Sequence, residues 1–124
     1  MSKNVDLVNE AYAAFGRGDI PALLELLDDN VDWSSPKTLP HGGHFTGRDG
    51  VLGFFQGIGA NWDALGIEVE TIGESGSDLV LALVSATGTR KGGSTAGYGA
   101  AHAFEISGGK IVRFREYVDL GTAL

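Results

Sequence analysis

The chain contains no cysteine, which removes disulfides, thiolate nucleophiles and cysteine-ligated zinc together and fits a reducing compartment. Positive charge is also scarce: 9 Lys and Arg stand against 16 Asp and Glu, for a net charge of −7. No basic cluster interleaves with aromatic residues, so a phosphate backbone would be repelled and a nucleic-acid partner is excluded. Long apolar runs are missing as well. The opening stretch MSKNVDLVNEAYAAF carries acidic and polar residues where a signal peptide needs an unbroken apolar core, and no segment approaches membrane-spanning length. These absences predict a cytoplasmic protein with no membrane partner.

What is present is ordinary globular composition. Hydrophobic residues make up 43% and charged residues 20% of 124 positions, enough for one domain over 1–124 with its own core. Glycine is the exception, with 20 residues against a usual share of roughly 7%, and predicts bends and bulges. Val5, Val8, Tyr12 and Phe15 recur at helical spacing behind a Ser2 cap, and Gly16-Arg17-Gly18 stops the pattern. Asp19 caps a second helix with Pro21 in its first turn and Leu23, Leu24, Leu26 and Leu27 on its apolar stripe. Residues 31–34 read as a short strand and 35–46, with Pro36, Pro40 and paired glycines, as a loop. Val51, Phe54, Phe55, Ile58 and Trp62 mark a third helix, although each glycine within it costs about 1 kcal/mol relative to Ala.

From Ile67 the period changes to two. Strands are predicted around 67–71, 79–89, 98–106 and 110–120, with a Gly/Ser/Thr loop at 90–97 and a Gly108-Gly109 turn. The order α-α-β-α-β-β-β-β implies an α+β domain with three helices stacked on one face of an antiparallel sheet.

The last hairpin carries the chemistry. In KIVRFREYVDL, Val112, Phe114, Glu116 and Val118 share one face, and Arg113, Arg115, Tyr117 and Asp119 the other. On the preceding strand Tyr98, Ala100, His102, Phe104 and Ile106 share a face. Joining the apolar faces sets His102 beside Glu116. A three-residue Ser-Gly-Gly loop with a glycine bulge delivers that register; a two-residue Gly-Gly turn is open too and is expected to flip it, which would mix arginines into the core. Parity makes Asp119 a solvent or interface charge.

A carboxyl between Val and Phe on a buried face loses hydration of its charged form. Its pKa is therefore expected to rise, which makes Glu116 a candidate proton-transfer group and His102 its partner. The competing readings are a structural Glu hydrogen-bonded within the core and a satisfied core histidine. His41 and His44 flank Gly-Gly near Asp49, but without a convergent third ligand they read as exposed loop histidines and no metal is expected. KGGSTAG lacks the phosphate-loop pattern, and no GxSxG elbow exists.

Four segments, VDLVNEAYAAFGRGD, DDNVDW, FTGRDGVLGFF and GGKIVRFREYVDL, together resemble the SnoaL-like polyketide cyclases and the related limonene-epoxide hydrolases and ketosteroid isomerases of the nuclear-transport-factor-2-like superfamily. The resemblance spans nearly the whole chain and implies a cone-shaped curved sheet wrapped by three helices around an apolar pocket. Trp33, Phe54, Phe55, Trp62, Tyr98, Phe104, Phe114 and Val118 are the candidates to line it, with plain core packing as the alternative. It also implies that Glu116 stands where the cyclases and epoxide hydrolases keep an acid/base aspartate, and that His102 matches a pocket histidine. Leu83 and Ser85 occupy the positions where the epoxide hydrolases need Arg and Asp. Glu for Asp also lengthens the acid by about 1 Å, a shift that matters to catalysis.

The function expected is cofactor-independent acid/base chemistry (cyclase, isomerase or related lyase) on an apolar polyketide-, steroid- or terpenoid-like substrate. Glu116 would remove a proton next to a carbonyl, and His102 would orient it or donate to the enolate. The alternative is a non-catalytic ligand-binding or assembly domain using the same pocket. A homodimer through the outer sheet face is expected from Arg113, Arg115 and Tyr117 opposite Glu105 and from the habit of the family.

Overall fold

In the computed structural model, which describes residues 2–118, the first helices form where their caps place them. The Ser2 side chain accepts a hydrogen bond from the Val5 amide at 3.0 Å and starts α1, Lys3–Gly16. Asp19 accepts from the Ala22 amide at 3.2 Å and starts α2, Ile20–Glu25. Asp119 and the predicted strand end at Leu120 lie outside the described residues.

The second helix is shorter than its leucine stripe suggests. Leu27 opens β1, Leu27–Ser35, because two distant groups claim this backbone. The Ile111 amide donates to the Leu26 carbonyl at 2.9 Å, and Arg48 donates to the Leu27 carbonyl through Nε at 2.9 Å and Nη2 at 2.7 Å. The predicted loop at 35–46 also contains a strand, β2, Gly43–Thr46, which pairs antiparallel with the end of β1. Between them the chain turns so tightly at Gly42 that a Cβ there would lie 1.7 Å from the Pro36 carbonyl oxygen.

The third helix, α3, Gly47–Asn61, forms despite its glycines and buries Val51 and Phe54. Trp62 falls at helical spacing but is the first residue of β3, Trp62–Ser75, where it pairs with Arg90. The strands β4, Leu79–Arg90, β5, Thr95–Ser107, and β6, Lys110–Val118, complete a six-stranded sheet in the order β2-β1-β6-β5-β4-β3. The sheet is curved and does not close, and the helices cover its concave face. One pairing departs from the antiparallel expectation: β1 and β6 run parallel, because β6 returns only after the crossover through α3 and three long strands.

The β5–β6 hairpin reaches the expected register by another route. Gly108 and Gly109, at φ 59° and 77°, form a two-residue turn between Ser107 and Lys110. The sequence reading ties such a turn to a flipped register, but a bulge between Ile111 and Arg113 restores it, so that His102 pairs with Glu116. Ile111 takes the inward position assigned to Val112; it is fully buried, whereas Val112 is half-buried. Arg115 is exposed. The core then runs from Val8, Ala14, Leu27 and Val51 through Trp33, Phe54, Phe104 and Phe114. A second cluster gathers Leu39, Trp62, Val84, Ala86 and Tyr98. No helix among the described residues is long and apolar enough to cross a membrane.

Candidate functional site

Strand alternation turns His102 of β5 and Glu116 of β6 onto the concave face, where their side chains are only 6% and 5% exposed. His102 Nε2–H donates to Glu116 Oε2 at 2.9 Å. Ser35, the last residue of β1, donates through Oγ to Glu116 Oε1 at 2.6 Å. Both carboxylate oxygens are thus hydrogen-bonded inside an aromatic wall.

These contacts overturn the expected rise in the Glu116 pKa. Burial does push it up, but the hydrogen bonds from the His102 ring and the Ser35 hydroxyl pull it down. The balance falls below the ordinary value of 4.5, so Glu116 is an ionised carboxylate at neutral pH.

With Nε2–H committed to the carboxylate, His102 Nδ1 meets the Tyr12 hydroxyl from α1 at 2.7 Å. Burial, and next the Glu116 charge, push the Tyr12 pKa up, so that hydroxyl keeps its proton and can donate to Nδ1. Tyr98 is raised by the same two causes in the same order. His102 is gripped further by rings: Tyr12 stacks on it with centroids 5.9 Å apart, and Phe114 meets its face edge-on at 4.9 Å.

The cavity facing this pair has a volume of about 70 Å³, well below the roughly 300–1,000 Å³ of sites for drug-sized molecules. Trp33, Phe54, Phe55, Tyr98, Phe104 and Phe114 line it, together with His102 and Glu116. Trp62 and Val118 do not. Trp62 sits behind the wall in the second core cluster with the Arg90 guanidinium 5.2 Å from its ring, and Val118 packs against the same cluster. Parity predicts an inward face but not how far along the strand the cavity extends.

Sequence reasoning missed three contributors. Tyr12 reads only as the apolar stripe of α1, and Ser35 only as the start of a loop. His41 was expected in solvent, yet it is 4% exposed and lines the cavity. Its Nδ1 accepts from the Trp62 indole N–H at 3.1 Å. Burial lowers its pKa, the Glu116 charge raises it and Arg90 lowers it, and the result lies below 6.5. His44 parts from His41: it is exposed and pairs with Asp32. Among the described residues no three His, Asp or Glu side chains gather as a metal site.

Residues 8–114 match the family model of the SnoaL-like domain. An NTF2-like protein of unknown function from Burkholderia pseudomallei is similar at 27% identity and a TM-score of 0.89, over 98% of this chain and 94% of that one. Bal32a, from a soil-derived mobile gene cassette, is similar at 28% identity and a TM-score of 0.87, over 97% and 92% of the two chains. A Mycobacterium tuberculosis protein in complex with estradiol-17beta-hemisuccinate shares the fold, at 22% identity and a TM-score of 0.83 over 98% of each chain. No curated protein matches the chain.

Proposed function

The chain belongs to the SnoaL-like family, and on that footing we propose a cofactor-independent acid/base enzyme in which Glu116 takes a proton from the carbon next to a carbonyl of an apolar substrate. The observation that carries this reading is the buried Glu116 carboxyl group, clamped by His102 and Ser35 on the wall of an otherwise largely apolar cavity. Each oxygen keeps a second lone pair, and the apolar side chains around the cavity leave that lone pair without a competing protein donor among the contacts described. The C–H bond breaks, its proton moves to Glu116, and the electron pair moves onto the carbonyl oxygen as an enolate. Return of the proton to a different carbon gives an isomer; attack of the enolate carbon on a second carbonyl closes a ring. In this reading His102 orients the carboxylate, since Glu116 and Tyr12 occupy both its nitrogens.

The substrate class proposed is polyketide-, steroid- or terpenoid-like. A steroid derivative is bound by the Mycobacterium tuberculosis neighbour, and the aromatic lining here suits an apolar skeleton. The volume of about 70 Å³ favours the smaller members, and a fused-ring molecule requires the α3 wall to move. We further propose that the protein works as a homodimer through the outer sheet face, where Leu81, Leu83 and Tyr117 are exposed.

Conversion of cyclohex-3-enone to the conjugated cyclohex-2-enone, read by ultraviolet absorbance, tests the reaction. Glu116→Gln keeps the shape but not the base, so the rate should fall by roughly 10²–10⁴. A second reading, a ligand-binding domain without chemistry, is favoured by the lowered Glu116 pKa, which weakens the base. Its signature is no wild-type turnover with a loss of about 1–3 kcal/mol in stability for Glu116→Gln, from partners left unpaired.

A further inference from the structure

We propose that His41 receives the carbonyl oxygen of the ligand through a neutral Nε2–H oriented by Trp62, and that the cavity thereby selects uncharged carbonyl compounds. This assignment rests on the acid/base reading of the same cavity and names the donor which that reading lacks.

The argument begins with the tautomer. An indole nitrogen can only donate, so the 3.1 Å contact from Trp62 Nε1 requires His41 Nδ1 to be an acceptor. A neutral imidazole with a bare Nδ1 carries its proton on Nε2. Protonating the ring would set two N–H groups against each other, which adds to the burial that already disfavours the charged form. The position of the ring is fixed as well. It meets the Phe54 ring at 5.5 Å and the Trp62 ring at 6.2 Å, each at a steep interplanar angle.

The Nε2–H has no hydrogen-bond partner among the described residues. Among the described residues the only hydrogen bond of the His41 ring is the one with Trp62, and the ring lines the cavity. Trp33, which also lines the cavity, carries a donor that is enclosed completely: the residue is 5% exposed and its buried Nε1–H has no partner among the described residues. A fully buried donor such as that of Trp33 is costly while unpaired, and both N–H groups are available to an acceptor that enters the cavity. A hydrocarbon would leave them unpaired and a carbonyl oxygen would not. A carboxylate would also supply acceptors, but it would enter a low-dielectric site that already holds the ionised Glu116 and be repelled.

The chemistry needs this group. Proton removal by Glu116 places negative charge on the former carbonyl oxygen, and a pre-oriented neutral donor stabilises that charge without first giving up a proton.

Binding of the unreactive cyclohex-2-enone separates this proposal from the reaction itself. In histidine-labelled protein at pH 7, nitrogen NMR should show the Nε2–H tautomer for His41. Cyclohex-2-enone should shift its Nε2 resonance, whereas cyclohexene and cyclohex-1-enecarboxylate should not. His41→Phe should weaken enone binding at least about fivefold relative to cyclohexene, as loss of one buried hydrogen bond implies. His41→Gln, whose amide nitrogen overlays Nε2, should restore most of that preference. An Nδ1–H tautomer, an unshifted Nε2 on enone addition, or an enone preference unchanged in His41→Phe overturns the assignment. If His41→Phe does not fold, the wild-type spectra and His41→Gln decide. Failed isomerisation by the wild type together with a shifted His41 resonance sinks only the acid/base reading.

Discussion

At Glu116 two forces oppose each other, and their balance has a pH signature. Burial favours the neutral acid, while the hydrogen bonds from His102 and Ser35 favour the anion, and the anion prevails. Its folded pKa lies below the unfolded value, so it contributes stability that is present above about pH 4.5 and is lost as pH falls further through the folded pKa. His41, also depressed when folded, resists a proton that the unfolded chain accepts near pH 6.5. Stability should therefore fall in two stages on acidification: the first below about pH 6.5, removed by His41→Phe, and the second below about pH 4.5, removed by Glu116→Gln. Thermal melts from pH 8 downward check this, and a melting temperature that is flat through the first window would mean that His41 is not held neutral. The pairing of His102 with Glu116 was legible because strand parity is a local rule. Ser35 and Tyr12 were not, since they lie 81 and 90 positions from the groups they contact.

At the scale of elements, the β5–β6 hairpin sets the geometry of the site. Glycine is required at 108 and 109 because φ values of 59° and 77° press any Cβ toward the next carbonyl. Alanine at either position should cost about 1–2 kcal/mol, read as a lower denaturant midpoint with an unchanged slope. An equal midpoint would mean that the turn relaxes into another form. Apolar alternation foretold which faces meet, but not the bulge that reconciles a two-residue turn with that meeting. Helix α1 was legible from its cap and stripe. The early start of β1, the strand at Gly43–Thr46 and the move of Trp62 into β3 were not. The first and last are decided by pairing with distant strands, which outweighs local helical spacing, and the second by pairing back onto β1 across a turn rich in proline and glycine.

On the scale of the whole molecule, the described residues leave one face of the sheet bare. The helices cover the concave face of the sheet, whereas among the described residues no element covers the outer face of β4–β6, and an apolar sheet face is stable when another layer packs on it. Across that face Leu83, Ala101 and Tyr117 align in one row and Leu81, Ala103 and Arg115 in the next. Leu81, Leu83 and Tyr117 are 46%, 53% and 57% exposed. The small alanines leave room between these larger side chains for those of a second copy. Arg113 lies 3.3 Å from Glu105 and 3.5 Å from Asp32, so the edge of the patch carries both signs of charge, as a self-complementary two-fold interface needs. Sedimentation at micromolar concentration should give a dimer for the wild type. Leu83→Glu would bury a carboxylate against its own symmetry mate's apolar row, and should give a monomer. Because Leu83 faces away from the cavity, the monomeric variant should keep the His41 response to cyclohex-2-enone. A wild type that sediments as a monomer would sink the assembly, and a dimer that survives Leu83→Glu would place the interface elsewhere on the surface.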